Sequence, residues 1–211
     1  SCDNFEDINT NPDSVTKVSP KLLAPGAIVG LMKPSQKKDF VYNQMTCKYI
    51  GWSEALEGTQ YNNFGRESFS GYTSLTNYKL MAELTDKDET MNEDKRNAYK
   101  GLALFLKAYR LFEYTLNVGD IPYEGILEGK EGNLTVAYNT QEDVFKFLLN
   151  DLDKAHEYFQ NANQTTFNGD PIFGGKVEQW HRVSNALELR VLINLSKKIN
   201  STDINLSLIH I

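Results

Sequence analysis

The chain is poor in the features that usually announce chemistry. Only two cysteines occur in 211 residues, Cys2 and Cys47. They are too few for a disulfide framework, although one bridge between them stays open. Cys47 falls in a helical pattern and is expected to be a small buried hydrophobe. Three histidines, His156, His181 and His210, are scattered, and no two have the spacing of a metal-binding helix. His156 is therefore read as a packed or surface residue, and neither a metal nor a cofactor is expected. No G-x-S-x-G elbow, phosphate loop or locally supported Cys-His arrangement is present. Gly174-Gly175-Lys176 is better explained as a turn before a helix. Acids are common, but no pair stands out that could flank a glycosidic bond, and Glu124, Glu128 and Glu131 read as solvated loop residues. No enzyme is expected.

Basic charge is in deficit too. Lys and Arg total 22 against 28 Asp and Glu, for a net charge of −6. Such a chain offers no positive field to gather phosphates, so nucleic acid is excluded as a partner. A run of about 18 apolar residues is also missing, and no helix of the chain spans a bilayer. No charged n-region leads into an apolar h-region, so any signal peptide is expected to be gone already.

What the chain does hold is helical periodicity and aromatic residues. Tyr42, Met45, Tyr49, Trp52 and Leu56 mark one helix face ending near Gly58, and Phe69, Tyr72 and Leu75 begin a second, weakened by Gly71. Thr90-x-x-Glu93 is a candidate capping box for the next helix. That helix, from Ala98 to Leu116, is apolar on both sides and must be buried between neighbours. It exits through Val118-Gly119-Asp120-Ile121-Pro122-Tyr123, a helix stop built from Gly and Pro. Thr140 opens another helix with Asp143 at the capping-box position and Val144, Leu148, Leu152, Ala155 and Phe159 as its inner face. The last helix starts near Val177, with Trp180, Val183, Leu187, Val191 and Leu195 inward and Arg182, Glu188 and Arg190 on or beside its other faces. No useful period-2 strand occurs. The fold class is all-α, and loop-separated helices suit helix-hairpin pairs.

Aromatics carry the functional hint, because sugar C–H faces pack on rings. Tyr61, Phe64, Tyr72, Tyr123 and Tyr138 lie in or near loops and could serve, against the plainer reading that most are core. Trp52 and Trp180 fall on apolar helix stripes and are read as core.

Three segments in order resemble the SusD/RagB family of outer-membrane nutrient-binding lipoproteins from Bacteroidota. The first is the hub, ALFLKAYRLFEYTLNVGDIPYEGIL, with its G-D-[IV]-P-Y exit. The second runs from Tyr138-Asn139-Thr140-Gln141-Glu142-Asp143-Val144 to Leu149-Asn150-Asp151-Leu152-Asp153-Lys154-Ala155. The third joins Phe173-Gly174-Gly175 to Trp180-His181-Arg182-Val183-Ser184-Asn185-Ala186-Leu187-Glu188-Leu189-Arg190. Lys176 and Glu188 depart from the family pattern, and both read as surface variation. Cys2-Asp3-Asn4-Phe5 resembles the mature start of such a lipoprotein, with Cys2 as the lipid attachment site and an unmodified cysteine as the plain alternative.

The resemblance implies a fold of tetratricopeptide-like helix-hairpin pairs with long ligand-side loops. It also implies a cell-surface, lipid-anchored outer-membrane protein that captures an oligosaccharide or peptide for a TonB-dependent SusC-like transporter. A helical-repeat scaffold that binds protein or peptide only is the alternative. Tyr61, Phe64 and Tyr72 are the candidate ligand-binding residues. The expected organisation is a polar tether over 1–21, a helical domain over 22–200 that is incomplete at its C-terminus, and a partly non-native tail over 201–211. Leu206-Ser207-Leu208-Ile209-His210-Ile211 reads as a translated sequencing adapter, the alternative being a short apolar segment docked on a core. Asp120 and Tyr123 are expected to seat the exit loop rather than to touch ligand.

Overall fold

The computed structural model describes residues 18–32, 44, 47–51, 69–125, 136–162, 164–196 and 198. Cys2, Trp52, Tyr61, Phe64, most of the helical pattern before Gly58 and the tail from 199 lie outside them. Five helices are present among the described residues: α1 (Pro20–Met32), α2 (Thr73–Lys87), α3 (Glu93–Val118), α4 (Gln141–Asn161) and α5 (Val177–Leu195). No strand accompanies them, only isolated antiparallel bridges at Ile121–Asn139 and Thr166–Lys176. The all-α expectation holds.

α3 is the hub. Leu102, Phe105, Leu106, Ala108 and Leu111 have no exposed surface at all. A helix apolar on several sides can be satisfied only by neighbours on several sides, and α3 touches each of the other four helices. Consecutive helices also pack on one another, which gives the helix-hairpin arrangement. Phe105 meets Trp180 of α5 with centroids 5.7 Å apart, and Phe112 meets Phe145 of α4 at 6.1 Å. The core placement of Trp180 is correct.

Helix ends follow local chemistry. Asn92, not Thr90, caps α3: its side chain accepts from Lys95 N–H at 3.0 Å. Thr90 instead donates to Asp88 through both its amide and its hydroxyl, so the sequence-level capping box is displaced by an Asx turn. The Arg96 guanidinium then donates to the carbonyls of Thr85, Asp86 and Asp88, sealing the end of α2. Thr140 does cap α4, accepting from Asp143 N–H at 3.2 Å.

The second periodic pattern starts later than its spacing implies. Phe69–Tyr72 is a 3-10 turn, and α2 begins at Thr73. The reason is Tyr114, whose hydroxyl accepts from Gly71 N–H at 2.9 Å and fills the space where a Cβ would stand. Along α2 the buried side chains are Leu75, Tyr78, Met81 and Thr85.

α1 was not anticipated as a helix. Pro20 stands at its first position, where a missing N–H costs nothing, whereas Pro25 sits inside it and reads as a breaker. Ala24, Ala27, Ile28 and Leu31 nevertheless face the core. Gly169, at φ 92°, comes so close to the Lys21 carbonyl and the Pro25 ring that no Cβ fits. Cys47 and Glu188 also differ from expectation. Cys47 sits in a turn and is exposed. Glu188 is 8% exposed, not surface variation, because it falls on the same inner stripe of α5 as Ser184 and Leu187.

Gly101 allows the close approach of α4. A Cβ there would lie 2.7 Å from the Phe159 ring, which is itself buried. Helix propensity alone favours Gly101→Ala by about 1 kcal/mol. Overpacking against a fixed ring is expected to reverse that sign and destabilise the chain by about 1–3 kcal/mol. Urea unfolding of the two proteins checks it, and a stabilised variant contradicts the packing account.

Candidate ligand-binding site

The C-terminal end of α3 gathers three groups of side chains with different capacities. The first closes the exit loop. Gly119 ends the helix at φ 84°, and its carbonyl accepts from the Thr115 hydroxyl at 2.7 Å. Asp120 accepts from Gln141 N–H at 2.8 Å, so it ties the loop to the first turn of α4. Gln141 returns the tie with its side-chain amide, which donates to the Thr115 carbonyl at 2.7 Å. Asn139 donates its backbone N–H to the Ile121 carbonyl, and its side-chain oxygen accepts from both Tyr123 N–H and Glu124 N–H. Every polar partner here is structural.

The second group is buried. Tyr123 is 4% exposed, and its hydroxyl donates to Asp151 at 2.6 Å. Lys107 reaches the same carboxylate oxygen at 2.8 Å and lies 4.5 Å from the centre of the Tyr123 ring. Phe147 packs beside that ring with centroids 5.4 Å apart. Tyr123 is thereby removed from the candidate sugar platforms: its ring is buried and its hydroxyl is occupied. A lysine and a hydrogen-bonded tyrosine compensate a carboxylate that would be costly to bury alone.

The third group is the one that reaches solvent. Tyr114 forms its floor, with the Phe69 ring stacked at 5.5 Å and the Tyr72 ring at 5.0 Å. Phe69 and Tyr72 meet edge to face at 5.4 Å. Tyr72 is half-buried and donates to the Pro122 carbonyl at 3.4 Å, so the platform is joined to the exit loop. Its phenol is raised far above its ordinary value by burial, then by the nearby Tyr114 and Tyr138. Phe69 is 38% exposed and Tyr138 is 63% exposed, with Val118 also reaching the surface. Of the three residues singled out from sequence, Tyr72 is here; Tyr61 and Phe64 lie outside the described residues. Phe69 was missed because helical spacing assigned it to a core face. Tyr138 was noted only as a loop aromatic.

Exposed rings over a rigid aromatic floor can stack against the apolar face of a sugar or another planar ligand. Among the described residues no group of three or more His, Cys, Asp or Glu gathers to hold a metal.

A further polar centre explains the Phe173-Gly174-Gly175…Trp180 pattern. Asp170 accepts from the amides of Ile172, Phe173 and Gly175 and from Trp180 Nε1, the last at 2.8 Å. One carboxylate thus folds the loop and anchors the indole at the start of α5. Gly175, at φ 78°, is pressed against the Phe167 carbonyl where no side chain fits.

Residues 12–207 match a SusD-like family described as starch-binding and associating with the outer membrane. A solved SusD homologue from Bacteroides fragilis is 41% identical, with a TM-score of 0.76 over 88% of this chain and 38% of its own. A second from the same species is 30% identical, with a TM-score of 0.71 over 85% of this chain and 36% of its own. An outer-membrane protein of Bacteroides vulgatus, described as involved in nutrient binding, is 27% identical, with a TM-score of 0.71 over 89% and 38% of the two chains. The chain therefore spans well under half the length of the solved structures it matches. No curated protein sequence matches it significantly.

The buried phenols make a pH prediction. Burial and the adjacent Asp151 push Tyr123 well above its ordinary value, and burial pushes Tyr99, which donates to the Asn168 carbonyl, up to about 12. An unfolded tyrosine ionises near pH 10 or so. A folded pKa above the unfolded one gives stability that is complete below the unfolded value and lost as pH rises through the folded one. Melting temperature is expected to fall between about pH 10 and 12, and Tyr99→Phe and Tyr123→Phe are each expected to flatten that fall. An unchanged alkaline slope in both variants contradicts the assignment.

Proposed function

The chain belongs to the SusD-like family, and on that footing we propose that it is a non-catalytic glycan-binding part of a cell-surface lipoprotein. The protein captures an oligosaccharide, or another nutrient oligomer, and delivers it to a TonB-dependent SusC-like transporter in the outer membrane. Family membership supports outer-membrane association and nutrient binding. The observation that carries the ligand reading is the solvent-facing ring pair Phe69 and Tyr72 beside the exit loop, with the exposed Tyr138 near Tyr72. Tyr61 and Phe64 are proposed to join it. The buried Tyr123, Asp151 and Lys107 serve the fold.

In this proposal Cys2 carries the lipid, and the polar segment ahead of α1 links the anchor to the helical domain. A diacylated and amide-acylated cysteine supplies enough buried methylene for stable attachment. In the native precursor, Cys2→Ser is expected to release the protein from the membrane fraction. Retention there without incorporated lipid label contradicts the anchor.

Calorimetric titration with soluble starch and other neutral polysaccharides tests the binding site. Stacking on a ring contributes roughly 0.5–1.5 kcal/mol beyond area burial. Tyr138→Ala and Tyr72→Ala are accordingly each expected to weaken binding by about three- to tenfold or more. Tyr123→Phe, measured beside them, is expected to leave affinity unchanged. Binding to peptide alone, with no polysaccharide bound, favours the scaffold reading instead. Release of reducing ends by the pure protein overturns the non-catalytic reading.

A further inference from the structure

His156 and His181 lie 25 positions apart, yet the packing of α4 on α5 brings their rings together. His181 Nε2 stands 2.7 Å from His156 Nδ1, and the ring centroids are 4.4 Å apart. Only one proton fits between two nitrogens at that distance, so one imidazole donates and the other presents a lone pair. Asn185, one turn beyond His181 on α5, places its Oδ1 3.4 Å from the same His156 Nδ1. The ring of Phe159 backs the pair, with its centroid 6.1 Å from that of His181. Both imidazoles are half-buried, and their helix neighbours Ala155, Phe159 and Ser184 are buried. The two side chains are therefore held by fixed backbones and still open to water.

We propose that this pair is a two-imidazole chelating site for a divalent transition ion, Ni²⁺, Zn²⁺ or Cu²⁺. The ion takes the place of the shared proton, which moves to the other ring nitrogen of the donating imidazole. Imidazole nitrogens bind such ions at about 2.0–2.1 Å. Two of them around one ion stand roughly 3 Å apart or slightly more, a few tenths of an ångström beyond the present separation. Small ring rotations supply that difference without moving either helix. No further His, Cys, Asp or Glu joins the two imidazoles among the described residues, so Asn185 and water complete the coordination. The bound ion bridges α4 and α5 and acts as a clamp on that helix pair. This inference stands independently of what the aromatic platform binds.

Thermal melts of the chelator-treated chain at pH 7.5, with and without added Ni²⁺ or Zn²⁺, test it. An ion that binds only the folded state raises the melting temperature, by about 5 °C or more when present a hundredfold above its Kd. His156→Gln and His181→Gln are each expected to abolish the rise. Cys47→Ser is expected to keep it, which separates the pair from the exposed thiol. No rise in the wild type, or an equal rise in either histidine variant, overturns the proposal. Should a variant fail to fold, nitrogen NMR of the wild-type imidazoles decides. Zn²⁺ is expected to shift His156 Nδ1 and His181 Nε2, and unmoved resonances at both overturn the site.

Discussion

The structure depends on how the chain leaves a buried helix. α3 is enclosed by four neighbours along its middle, and the chain that leaves its more exposed last turn must start a new helix against it at once. Gly119 makes the turn at positive φ, Asp120 holds Gln141, Gln141 holds Thr115, and Asn139 pairs with Ile121 and Tyr123. This mutual closure sets where α4 begins. Its placement then lets Asp151 meet Lys107 and Tyr123, and lets Phe159 fill the space that Gly101 leaves. If the junction slips, those partners separate together.

The same economy recurs at the start of α5. Asp170 collects three amides and the Trp180 indole, and Trp180 in turn packs on Phe105 of the hub and on Phe173. Charged hydrogen bonds to a carboxylate are stronger than neutral ones, and leaving the indole N–H of the buried Trp180 unpaired is costly. Two polar knots, one after α3 and one before α5, thus fix the helices. The knots absorb the acids and the tyrosine that look most like catalytic groups. Beside the first knot, Phe69 and Tyr72 reach solvent over the Tyr114 floor, and the exposed Tyr138 lies near Tyr72. Rings held at the surface over a fixed floor are suited to holding a ligand.

Much of this was legible because it is written in local pattern. The double-sided apolar helix, its Gly-Asp-x-Pro exit, the Thr140 cap and the Val177 helix all depend on residues close in sequence. The structural role of Asp120 and Tyr123 followed from the same exit pattern. Several of the failures have a different cause, contacts between distant residues. α1, with Pro25 inside it, has no helical signature of its own, and only its inward Ala24, Ala27, Ile28 and Leu31 reveal the helix. Gly71 looked like a weak helix position until Tyr114, 43 residues on, supplied its partner. The His156–His181 contact likewise has no signature until α4 packs on α5, whereas Glu188 lies on the local inner stripe of α5 with Ser184 and Leu187. Thr90-x-x-Glu93 was a true local motif beaten by a neighbour: Asn92 is better placed to cap, and Asp88 claims Thr90.

If the junction after α3 is the constraint on which the helices depend, its backbone should open only when the whole molecule opens. Native-state hydrogen exchange measures this directly at the amides of Tyr123 and Asn139, compared with those of Leu106 and Leu111 inside α3. Matching opening free energies, with the same dependence on denaturant, are predicted. Exchange at Tyr123 and Asn139 through a much cheaper local opening, while α3 stays protected, contradicts the account.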